Sequence, residues 1–96
     1  AMSVKVIECI SFLSKLKHQY KRLYDNLSEI KISSNNEIEL ILADQPTNIY
    51  LGNESINSRI NILKEFEKEL NPNTISGFSY IDIRYDNQVI AKRRHS

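Results

Sequence analysis

The chain has 96 residues, of which 41% are hydrophobic, which suits one small domain and a single core burying somewhat more than ~60% of the unfolded surface. Thirteen basic and 12 acidic residues leave a formal charge of +1, so no global field draws in nucleic acid or anionic lipid. Two glycines, two prolines and 26% charged residues exclude a linker or low-complexity segment, and no internal repeat occurs. Cys9 is the only cysteine, which excludes an intrachain disulfide and gives no sign of an oxidising compartment.

The longest apolar run is far shorter than the roughly 18 residues a membrane span needs, and no signal-peptide pattern is present. Ala1-Met2 reads as a cloning remnant ahead of a domain cut from a longer chain. Asn26-Leu27-Ser28 and Asn53-Glu54-Ser55 match the glycosylation sequon, a short pattern that arises by chance in an Asn-rich chain and carries no functional weight.

From Val4 to Tyr24, apolar residues recur at Val4, Ile7, Leu13, Leu16, Tyr20 and Leu23, widened by Cys9, Ile10, Phe12 and Tyr24. That spacing predicts one amphipathic helix without a Gly or Pro break. Lys15, Lys17, Lys21 and Arg22 fall mostly on its other side and read as a solvated face. Ile30 and Ile32 alternate with Glu29, Lys31 and Ser33, and after Ser34-Asn35-Asn36 the residues Ile38, Leu40 and Leu42 alternate with Glu37, Glu39 and Ile41, which predicts a hairpin with one buried face. Asp44-Gln45-Pro46-Thr47 supplies a turn, and Ile49 and Leu51 carry the apolar face into a third strand.

Gly52 and Asn53 break that strand, and Ser55 or Asn53 can cap a helix with its stripe at Ile56, Ile60, Leu63, Phe66 or Glu67, and Leu70. Asn71-Pro72-Asn73 ends it, because proline cannot continue the hydrogen-bond ladder. The stretch from Phe78 to Lys92 then reads as two strands around a tight two-residue turn at Asp86-Asn87. In its first strand Ile81, Ile83 and Tyr85 share one face, and Phe78, Tyr80, Asp82 and Arg84 the other. The expected fold is α+β: an antiparallel sheet of about five strands with two helices packed mainly on one face, in the order helix-β-β-β-helix-β-β.

The residues of catalysis do not converge. His18 lies in the charged helix and His95 in the terminal tail, neither with a partner at metal-ligand or catalytic spacing. No phosphate-binding glycine loop, nucleophile elbow or Cys-x-x-Cys occurs, and Cys9 reads as a buried free thiol in an apolar stripe. Glu65, Glu67 and Glu69 interleave with Lys64 and Lys68 as surface pairs. Lys92-Arg93-Arg94-His95, without interleaved aromatics, reads as a solubilising terminus and not a nucleic-acid contact. No cofactor, metal or enzymatic activity is expected.

A family resemblance rests on the second half. Asn48-Ile49-Tyr50-Leu51-Gly52, one helix ending near Leu70, and Tyr80-Ile81-Asp82-Ile83-Arg84-Tyr85-Asp86 together resemble the C-terminal part of the bacterial cell-division family FtsQ, also called DivIB. The likeness runs from Asn48 to about Lys92, with the first half fitting by order and length. Members are bitopic membrane proteins with an extracytoplasmic POTRA domain followed by a β domain, and this chain resembles the β domain alone, without the span and the POTRA domain. The resemblance implies strands running in order through the sheet with the last one exposed. It implies residence at the bacterial inner membrane, on the extracytoplasmic, periplasmic side of the division septum, and no enzymatic activity. It also implies a hub that recruits the coiled-coil division proteins FtsB and FtsL, with an extended FtsB-like strand added along Tyr85 to Lys92.

The candidate partner-binding residues are therefore Arg84, Tyr85, Asp86, Asn87, Gln88, Val89, Ile90, Ala91 and Lys92. Gln88 departs from the glycine that the family commonly has there. Arg84 can meet a partner carboxylate or pair with Asp82 on its own face, and Tyr85 can wall a partner pocket or join the core. Val89, Ile90 and Ala91 can serve the partner or cover their own sheet, and proline at Ile90 is expected to remove one edge donor. The alternative is a self-associating structural domain that forms homodimers through the same edge.

Overall fold

A computed structural model describes residues 4–94, with side chains from residue 7 onward. Ala1 and Met2, read as a cloning remnant, and His95 of the basic tail lie outside the described residues, as does the Val4 side chain of the expected stripe. The elements run α1 (Val4–Gln19), α2 (Lys21–Asp25), β1 (Leu27–Ile32), β2 (Ile38–Leu42), β3 (Asn48–Gly52), α3 (Ile56–Leu70), a 3-10 turn (Ile75–Gly77), β4 (Phe78–Asp82) and β5 (Ile90–Arg93).

The five strands lie in sequence order, β1-β2-β3-β4-β5. The sheet is mixed and not antiparallel throughout: β1–β2, β2–β3 and β4–β5 pair antiparallel, whereas β3 and β4 pair parallel, with Ile49 opposite Ile81. The cause is α3, whose 15 residues carry the chain back to the starting end of β3 before β4 begins. A strand, a long helix and a strand is the sequence signature of such a crossover.

Among the described residues the α-helices number three and not two. The expected Val4–Tyr24 helix breaks at Tyr20, whose backbone sits at φ −146° and ψ 65°. Its amide still donates to the Leu16 carbonyl and its carbonyl still accepts from Tyr24, so the break is one residue long. The buried Tyr20 hydroxyl donates to Glu67 Oε1 on α3 at 2.5 Å, and Glu67 Oε2 accepts the Ile75 amide at 3.1 Å. Burial first, and then the Glu67 hydrogen bond, push the Tyr20 phenol far above its ordinary pKa.

The core gathers Phe12, Leu16 and Leu23 from the first two helices, Leu40, Leu42, Ile49, Leu51 and Ile81 from the sheet, and Ile60 and Leu63 from α3. β2 alternates strictly between buried and half-buried positions, as a strand covered on one face must. β4 departs from alternation. A bulge between Phe78 and Tyr80 turns Phe78 onto the helix side, where its ring meets Phe66 of α3 at 5.6 Å. Phe78 therefore leaves the face it was expected to share with Tyr80, Asp82 and Arg84.

The tail has a structural task. Arg94 donates to the carbonyls of Ser76 and Pro46 at 3.0 and 2.8 Å and to the buried Thr47 hydroxyl at 2.8 Å, pinning the end of β5 to the β2–β3 turn. The Arg93 guanidinium lies over the Phe78 ring at 5.2 Å.

Candidate functional site

The candidate residues occupy the connection after β4 and the last strand. That connection is longer than a two-residue hairpin turn: β4 ends at Asp82 and β5 begins at Ile90, so residues 83–89 lie between the strands. A turn does sit at Asp86-Asn87, but only Asn87 takes positive φ, at 60°. The turn therefore lacks the two left-handed residues of the expected type.

Ile83 continues the core and is fully buried, and its amide donates to Tyr50 of β3 at 3.1 Å. After it the chain lifts off the sheet. Tyr85 is 47% exposed, so its alternation with Ile81 and Ile83 does not carry it into the core. Arg84 folds back: its Nε and Nη2 donate to the two Asp82 carboxylate oxygens at 2.9 and 2.7 Å, and its amide donates to Oδ1 at 3.1 Å. Nη1 lies 3.5 Å from Glu37, and the guanidinium stands over the rings of Tyr50 and Tyr85 at 5.5 and 5.7 Å.

The Arg84 hydrogen bonds hold the Asp82 carboxyl below the usual carboxylate range, against the opposing effect of burial, and Asp82 in turn raises the Arg84 pKa. Gly52 closes the arrangement. Its φ is +78°, and a Cβ there would stand 3.3 Å from Arg84 Cγ, so both its backbone and its neighbour favour glycine.

A second cation, missed in the sequence, fixes the loop from the helix side. Arg59 of α3 is buried and its Nη2 pairs with Asp86 at 2.9 Å, while its buried Nε has no hydrogen-bond partner among the described residues. The signal was its position: Arg59 falls three residues after Ile56 and four before Leu63, inside the apolar stripe. Beside this anchor Asn61, Ile62, Glu65, Phe66, Glu69 and Val89 line a cavity of about 360 Å³ between α3 and the approach to β5.

β5 is an edge of the sheet. Val89 and Ala91 are half-buried and pack on the core, Ile90 is 37% exposed, and Asn87, Gln88 and Lys92 are exposed. The Arg94 amide donates inward to Gly77 at 3.1 Å, and antiparallel backbones alternate. Counting back by twos, Lys92 and Ile90 also face β4, and the outward backbone groups belong to Ala91 and Arg93. Proline at Ile90 would thus break the internal ladder and not remove an edge donor.

A family model described as FtsQ/DivIB, C-terminal related, matches residues 2–92. The chain belongs to that family. The match takes in α1, α2 and the first hairpin as well as the half that carries the motif. It makes this a domain of the FtsQ/DivIB type, from a family of membrane-anchored cell-division proteins. No curated protein matches the chain. Among the described residues no helix is long and apolar enough to cross a membrane, and no group of His, Cys, Asp or Glu is placed to hold a metal ion. The motif residues of the FtsQ/DivIB resemblance meet in space: Gly52 from the first segment packs on Arg84 from the second.

Proposed function

We propose that this domain is a non-enzymatic scaffold of the divisome. It recruits FtsB-like and FtsL-like partners on the extracytoplasmic side of the inner membrane at the septum, taking up an extended partner strand along β5. The observation that carries the reading is the position of β5 at the end of the sheet, with the Ala91 and Arg93 backbone groups directed outward. Main-chain bonds there supply affinity, while exposed Ile90 and Lys92 and the cavity beside Val89 select side chains.

Calorimetric titration with the extracytoplasmic C-terminal segment of the same organism's FtsB-like protein tests the reading. Ala91→Pro should keep the fold by circular dichroism and weaken binding at least about tenfold, a loss of roughly 1.4 kcal/mol. Undiminished binding by a folded Ala91→Pro variant would sink strand addition at this edge.

A further inference from the structure

The sheet has a second edge. β1 ends the strand order opposite β5; its Ser28, Glu29, Lys31 and Ile32 are exposed, and Ile30 between them is half-buried against the core. The Ser33 amide donates to the carbonyl of Glu37, just before β2, at 3.0 Å. By alternation the Lys31 and Glu29 amides also face β2, which leaves the backbone groups of Ile30 and Ile32 facing out.

Two copies meeting antiparallel along this edge must pair outward residues with outward residues. Centred on Ile30, the pairing sets Ile30 opposite Ile30 of the second copy and Glu29 opposite its Lys31, and the two-fold axis repeats the charge pair. Moving the register by two residues sets Lys31 against Lys31 in one direction and Glu29 against Glu29 in the other. Among these registers only the Ile30-centred one is charge-complementary. Both charges point away from the helices, since Ile30 between them packs inward, and among the described residues neither side chain has an ion-pair partner within the chain.

We infer that β1 is a self-recognition edge whose occupant is a second copy of this chain, paired antiparallel through Ile30. The two sheets then join into one, and both β5 edges stay open at the far ends. A bulge between Leu27 and Glu29 limits the paired segment, so the association is weak and concentration-dependent.

Sedimentation equilibrium of the chain from ~10 µM to ~1 mM reads this directly, because edges this short fall below the size of a stable interface. The average mass should rise from 11.2 kDa towards twice that value. Glu29→Lys alone and Lys31→Glu alone each set like charges opposite one another and should stay at the monomer mass. Mixed in equal amounts, the two variants set opposite charges face to face and should associate again, with circular dichroism confirming that each is folded. Ala91→Pro, at the other edge, should associate as the parent does. A parent monomeric throughout, single variants that associate as well as the parent, or a mixture that fails to recover would each overturn the inference.

Discussion

Asp82 accepts three hydrogen bonds from one residue, Arg84: two from the guanidinium and one from the amide. The pair closes the exit of β4 and sets the direction in which the chain leaves the sheet. Because Arg84 depresses the Asp82 pKa, the carboxylate contributes stability that is present above the unfolded value of about 3.9 and lost as pH falls through the lower folded value. Urea unfolding between pH 7 and pH 2 should show this as a decline below about pH 4. Asp82→Asn should cost about 1–2 kcal/mol at pH 7 and flatten that decline.

Gly52 should resist substitution more than the other glycine of the chain. Gly52→Ala forces a Cβ into the left-handed region and to within 3.3 Å of the Arg84 side chain, and should destabilise by about 1–2 kcal/mol. Gly77→Ala meets nothing within 4 Å and should stay within about 0.5 kcal/mol of the parent in the same urea titration.

The junction of α1 and α2 depends on a polar contact inside the core. Tyr20→Phe removes the donor to Glu67 Oε1 and leaves a buried carboxylate with the Ile75 amide as its remaining hydrogen-bond partner among the described residues. The expected loss is about 1–3 kcal/mol in thermal or urea unfolding. Lys21→Ala, which removes an exposed pair with Asp25 one residue along, should cost less than about 0.5 kcal/mol.

The two halves of the chain were legible for different reasons. The β1–β2 hairpin and α3 follow from period-2 and helical spacing alone, and the structure places them at Leu27–Ile32, Ile38–Leu42 and Ile56–Leu70. Tyr20 was unreadable as a helix break because no glycine or proline marks it; its partner Glu67 lies 47 residues away. The length of the 83–89 connection was hidden by alternation: Ile81, Ile83 and Tyr85 keep period two although only the first two are buried. Phe78 changed faces through a bulge, which period counting does not see. The edge position of β5 followed from the family resemblance, whereas the residues whose backbone faces outward required the Arg94 to Gly77 bond.

Arg59 and Asp86 make the last prediction, since the pair joins a buried cation to an 86% exposed carboxylate. Removing the exposed partner leaves a charge in the apolar stripe with an Nε that already lacks an acceptor among the described residues. Asp86→Ala should therefore cost ~1–2 kcal/mol, more than an ordinary surface pair and less than a fully buried one. Arg59→Met removes the charge together with its desolvation penalty and should remain within about 1 kcal/mol of the parent. Both variants release the 83–89 connection from α3, so faster amide exchange should appear from Arg84 to Gln88 in each, while the β1–β2 hairpin stays protected. Unchanged exchange in both would mean that the hold on this connection comes from Arg84 and Asp82 and not from the helix.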